Sequence, residues 1–340
     1  MAMASGVLAS AALSGRSQDG PAPLPPRLES YLSTAVHPTP SERRLLMNGS
    51  PITKLLEADA GKEVAVFGAV WISAPIRRYV EAMNNIENFE RGRGFRITRR
   101  ISTPPRLEDF SQLHLPEEDV RDLRSCRLGN CELKLDQQAL QTFRTEVDWS
   151  GPDTQASAER VMRRLAFEYV TGYLEEGNER LAVYRDNSRP TFVAGEFRSI
   201  VDEMPSLTAD MPNLRRYLLG YPRVQLPDAT SFLYWQETRF GLKPTIRISH
   251  LVIREGADDT VVASKMLYAS HYFWTALELR VLVPDPARGP GFWFVTINRG
   301  RSDGLSGFIG LFIRRRVRSE VTEGALVALR LTKSILERTR

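Results

Sequence analysis

Histidine and cysteine are scarce in this chain, four and two residues among 340. Two thiolates are too few for a structural zinc site without a nearby histidine, and His114 lies well upstream of the Cys126/Cys131 pair. A Gly-x-Ser-x-Gly elbow, a His-Glu-x-x-His helix, a P-loop and a Gly-x-Gly-x-x-Gly turn are all missing, so serine hydrolase, zincin and nucleotide-binding readings lose their usual support. No apolar run approaches the roughly 18 residues that a membrane-spanning helix needs. Neither sign of charge dominates: the net charge is +5, and acids and bases alternate through most of the chain, which describes a solvated surface and implies no nucleic-acid partner. No cofactor or metal is implied either.

What is present is ordinary globular composition, 42% hydrophobic and 26% charged, with a length suited to two domains or to one with a large insertion. Met1 to Leu13 is small and apolar and leads into the Pro-rich run Pro21 to Pro26, as an export signal and linker would. No Lys or Arg precedes the apolar part, however, as the start of a signal peptide requires. Residues 1–40 are expected to be a disordered segment outside the fold, with an exported location favoured over a cytoplasmic one, and 41–340 a single domain. Cys126 and Cys131 flank the turn-forming Gly129-Asn130, so they are either a disulfide closing a small loop or two reduced thiols at a helix end.

Leu45, Leu46, Leu55 and Leu56 around Asn48-Gly49-Ser50-Pro51 predict two short helices. Glu63 to Ile72 is apolar or small on both alternating faces, as a strand covered on both sides would be. Pro75 then opens a helix striped by Ile76, Tyr79, Val80, Met83, Ile86 and Phe89, and a second strand runs from Phe95 to Ser102. Residues 104–230 change to a helical pattern and read as an insertion. Strand-like segments resume at 231–239, 245–254, 260–283 and 291–299, separated by hairpin signals. A Pro-free helical run closes the chain, with Ile313, Val317, Val321, Gly324, Ala328 and Ile335 on one side. The fold class expected is α+β: a curved antiparallel sheet (63–103 and 231–338 with its helices) wrapped on a long C-terminal helix.

That order of elements resembles the helix-grip fold of START domains and polyketide-cyclase-like proteins, over 63–103 and 231–338. VWISAPIRRYVEAM is its local match, an apolar strand, Ala-Pro, and then an amphipathic helix. The resemblance implies an apolar cavity between sheet and last helix. The helical block departs from the compact family pattern. ASHYFWTALELRV and INRGRSDGL also resemble stretches of uncharacterised bacterial proteins, and no function comes with that likeness.

If such a cavity exists, its expected lining includes Trp71, Tyr268, His271, Phe273, Asn298, Arg301, Gly324 and Ala328, with a hydrophobic or lipid-like small molecule as partner. Arg301 could hold an anionic head group near the start of the last helix, or Asp303 could simply pair with a neighbouring Arg. Gly324 costs helix propensity and needs a reason: close approach of helix to sheet, or room for something else. Arg314, Arg315, Arg316 and Arg318 read first as a solvated face and second as a peripheral contact with anionic lipid. No catalytic residue is assigned. Two alternatives to simple binding are a cyclase- or hydrolase-type enzyme using His271 with Tyr268 or Glu237, and a scaffold that binds a protein through the helical insertion.

Overall fold

A computed structural model describes residues 23–338 except 92, 93, 241, 242, 304 and 306; for 239, 240 and 307–314 the description stops at the backbone. The chain opens with helices α1 (Pro26–Tyr31) and α2 (Pro40–Met47), then strands β1 (Ile52–Leu55) and β2 (Glu63–Ile72). Helices α3 (Ile76–Asn84) and α4 (Ile86–Phe89) lead to β3 (Phe95–Arg100). The insertion carries α5 (Glu117–Ser125), α6 (Gln137–Glu146) and α7 (Thr154–Glu176), a short hairpin of β4 (Val183–Tyr184) and β5 (Thr191–Phe192), then α8 (Val193–Asp202), α9 (Pro205–Ala209) and α10 (Pro212–Gly220). Five long strands follow, β6 (Ala229–Phe240), β7 (Lys243–Glu255), β8 (Thr260–Ala269), β9 (Phe273–Pro284) and β10 (Phe292–Ser302), and α11 (Gly307–Glu337) ends the chain.

Among the described residues eight strands form one antiparallel sheet in the order β1-β2-β10-β9-β8-β7-β6-β3. β2 and β3 are joined through α3 and α4, yet they lie on opposite sides of the five later strands. The β2 register runs from Phe292 opposite Ile72 to Arg301 opposite Glu63, which joins the early chain to the late chain. Every residue of β2 but Val64 is buried, because both sheet faces are covered. The segment 260–283 divides at Ser270–Tyr272, where Tyr272 takes a φ of 60°.

Helices cover one face. α1, α2 and α8 to α10 bring Leu28, Leu46, Ile200 and Leu214 onto Phe67, Leu279, Val281 and Val295, while α5 to α7 bring Leu123, Phe143 and Val170 onto Leu233, Ile246 and Leu267. The other face receives α3, α4 and α11. Two expectations are corrected here. Residues 23–40 are not outside the fold: Leu24, Leu28, Leu32 and Val36 are buried in the core, and Arg27 pairs with Asp259 at 2.5 Å. The segment 1–22, with its candidate export signal, lies outside the described residues. Of the two short helices expected at 41–59, the first is α2, capped by Thr39 with Glu42 in a capping box, but the second is strand β1 paired to β2.

Cys126 and Cys131 are joined in a disulfide at the end of α5. No described helix is long and apolar enough to cross a membrane.

Candidate functional site

Successive strand residues point to opposite faces, so the face under α11 is composed of alternate residues from seven strands. Three cross-strand rows are polar. Thr98, Gln236 and Arg247 are neighbours across β3, β6 and β7. Ser264, Glu278 and Asn298 are neighbours across β8, β9 and β10, and the row ends on Val66 of β2. Arg280 and Thr296 form the third, which ends on Gly68. Apolar side chains fill the gaps: Val64 and Val66 of β2, Met266 of β8 and Ala276 of β9.

Between this face and α11 lies a cavity of about 450 Å³. Val317, Val321 and Ala328 roof it, and Leu305 and Asp303 close it at the foot of the helix. A smaller pocket of about 50 Å³ shares Glu90, Glu278, Arg280, Asn298 and Ala328 with it. A polar hollow of about 530 Å³ at the β3 edge shares Glu90 and Phe95, and in it Arg96 pairs with Glu237, Arg99 with Glu87 and His114 with Glu159.

The polar groups of the main cavity differ in how far they are satisfied. Arg280 Nη2 meets Glu278 Oε2 at 2.5 Å. Burial disfavours the Arg280 charge, but Glu278, Tyr79 and Glu90 outweigh it, and the guanidinium is held above its usual range. Tyr234 and Ser264 share a hydroxyl hydrogen bond of 2.8 Å. Burial raises the Tyr234 phenol, partly offset by Arg247. Arg247 Nη2 donates to Gln236 Oε1 at 2.8 Å and its guanidinium lies 5.3 Å from the centre of the Phe95 ring. Asn298 Oδ1 and Arg247 Nε are buried without a hydrogen-bond partner.

α11 grips the sheet by its C-terminal half. Leu329, Thr332 and Leu336 are 2–3% exposed, spaced for one helix face. A Cβ on Gly68 would stand 2.9 Å from Leu329 Cδ1 and 2.7 Å from Thr296 Oγ1, so it is this strand glycine that lets helix and sheet approach. Lys333 Nζ donates to the Trp71 carbonyl at 2.6 Å, Ser73 N to Glu337 Oε1 at 2.7 Å, and Arg78 Nη1 to the Leu336 carbonyl at 2.9 Å. The described side chains of 315–328 make no hydrogen bond or ion pair outside the helix; Arg316 pairs with Glu320, and Arg315 and Arg318 are exposed. The placement of the Arg314 side chain lies outside the description. At the foot of the helix, Asp303 bonds to Lys134 and accepts from Trp274 Nε1 at 2.6 Å, and Lys134 also pairs with Asp186 at 3.0 Å.

The structure divides the residues singled out in the sequence. Phe273, Asn298 and Ala328 line the cavity. Gly324 faces open space, with nothing within 4 Å of an added Cβ, so close packing is not the reason for it. The other four lie away from the cavity. Trp71 packs edge-on against Trp293 in the core under α1 and α2. Tyr268 stands against Tyr169 and Tyr184 beside a pocket of about 70 Å³ under α6 and α7, and its hydroxyl has no partner. His271 is buried with Nε2 3.0 Å from Asp119 Oδ2 and Nδ1 3.0 Å from the Glu132 carbonyl, so both nitrogens are engaged and neither is free for a substrate. Arg301 is held by Glu63 (2.8 Å), Glu196 (2.7 Å) and Glu203 (2.7 Å), with Arg299 bridging the same Glu63 and Glu203; it cannot offer its fork to a head group.

Sequence reasoning missed Arg247, Ser249, Ser264 and the Glu278–Arg280 pair as cavity residues. The signal was there in β9, where Glu278 and Arg280 alternate with Leu277, Leu279 and Val281, but alternation alone reads as a wet face. Another buried polar group lies on the opposite sheet face: Lys265 donates to Tyr173 Oη at 3.3 Å and to Asn178, lies 4.4 Å from the Phe197 ring centre, and meets no carboxylate. Burial pushes its amine well below the usual range, and burial with the Lys265 charge pushes His250, bonded to Tyr173, down to about 3. No group of three or more His, Cys, Asp or Glu among the described residues is placed to hold a metal ion. No protein-family model matches the chain, and no curated protein matches it.

Proposed function

We propose that this protein binds a hydrophobic, lipid-like small molecule, without transforming it, in the cavity between the sheet and α11. The observation that carries the reading is the cavity itself. About 450 Å³ remains here under a stretch of α11 whose described side chains, 315–328, make no hydrogen bond or ion pair outside the helix. That volume falls within the range of roughly 300–1,000 Å³ common for small-ligand sites. The strand order, with β2 and β3 at opposite sides of β6–β10 and a long last helix across one face, supports the helix-grip reading.

The test is native mass spectrometry of the purified protein, followed by titration with Nile red. A bound molecule released by organic solvent, and Nile red uptake abolished by Ala276→Trp, whose indole would occupy the cavity, is the expected result. A wild-type protein that carries nothing and takes up no Nile red overturns the reading.

A further inference from the structure

Of the three arginines at the cavity, Arg280 is neutralised by Glu278, and Arg299 is spent on Glu63 and Glu203 across the sheet. Arg247 is different. Among the described residues it has no carboxylate partner; one nitrogen donates to the neutral Gln236 amide, the ring of Phe95 lies 5.3 Å from its guanidinium carbon, and its buried Nε has no acceptor. A half-buried guanidinium left with unused donors and no counter-charge is an incomplete arrangement. Its planar fork fits a carboxylate, and Ser249 on the same strand face, with the Tyr234–Ser264 pair beyond, offers hydroxyl donors beside it. In the same cavity Val64, Val66, Met266, Val317 and Val321 suit a hydrocarbon chain.

Resting on the binding reading above, we propose that Arg247 anchors the carboxylate of an amphipathic monoanion, the class of which a medium-chain fatty acid is the simplest member. The experiment is calorimetric titration with dodecanoate and with dodecanol, on the wild type, Arg247→Gln and Arg247→Lys, each checked for folding by thermal melting. Dodecanoate is expected to bind the wild type, to lose roughly tenfold or more in affinity in Arg247→Gln, as for a lost charge-assisted hydrogen bond, and to lose less in Arg247→Lys. Dodecanol should be weaker than dodecanoate in the wild type and indifferent to either change. Equal affinity for the two probes, or equal losses for both in a folded Arg247→Lys, overturns the anchor and leaves the binding reading standing. Failure of both probes together with failure of Nile red overturns the binding reading, and the anchor with it.

Discussion

At the scale of single residues, buried charge without a full set of partners sets the pH response. The unfolded chain takes a proton on His250 near its ordinary value of about 6.5, whereas the folded state refuses it until about 3. Between these values the unfolded state binds more protons, so stability is full above the upper value and falls as pH drops toward the lower. The loss over the whole window is on the order of 5 kcal/mol. Urea unfolding at neutral and mildly acid pH should show it, and His250→Asn should flatten that slope. Arg301→Ala should cost about 3 kcal/mol, since it leaves the buried Glu63 short of a counter-charge, whereas exposed Arg315→Ala should stay within about 0.5 kcal/mol. These roles were hard to read in the sequence because the partners are remote: Arg301 reaches Glu63 across 238 residues, while reading along the chain offered the adjacent Asp303.

At the scale of elements, β2, β3 and β6 to β10 were legible because turn signals and β-branched runs are local, β1 was misread as a helix, and α11 was legible because nothing interrupts it. Its rotation was not. The side that carries Val321 and Ala328 faces the sheet across the cavity, but the line buried on the sheet is Leu329, Thr332 and Leu336, and Ala328 is exposed at the cavity roof. The apolar side read in the sequence runs from Ile313 to Ile335, whereas among the described side chains of α11 those of Leu329, Thr332 and Leu336 are the buried ones. The two glycines at issue therefore have opposite expected effects. Gly68→Ala should destabilise by about 1–3 kcal/mol, because the new methyl meets Leu329 and Thr296. Gly324→Ala should stabilise by roughly 1 kcal/mol, because it meets nothing and improves helix propensity. Denaturant titration of both variants checks the pair of signs.

At the scale of the whole molecule, the α+β class and the large antiparallel sheet follow from element order, and the helical insertion covers one face of that sheet. The part that stayed hidden is the N-terminal lead-in, where a Pro-rich beginning concealed four buried aliphatic residues from Leu24 to Val36. The pairing of β2 with β10 was equally hidden, since no local signal specifies a partner so far away. That pairing also fixes when the molecule can finish. During synthesis β2 leaves the ribosome early, with β1 at one edge and nothing at the other. Its second neighbour and the helix end that clamps it are made long after it; Arg299 and Arg301 must find Glu63 over 236 and 238 residues. Until β10 emerges, then, β2 carries an open edge of the kind that recruits other chains, and the roof over the cavity arrives after the whole sheet. Nascent chains stalled before β10 should associate with chaperones, and chains stalled well past α11 should escape them.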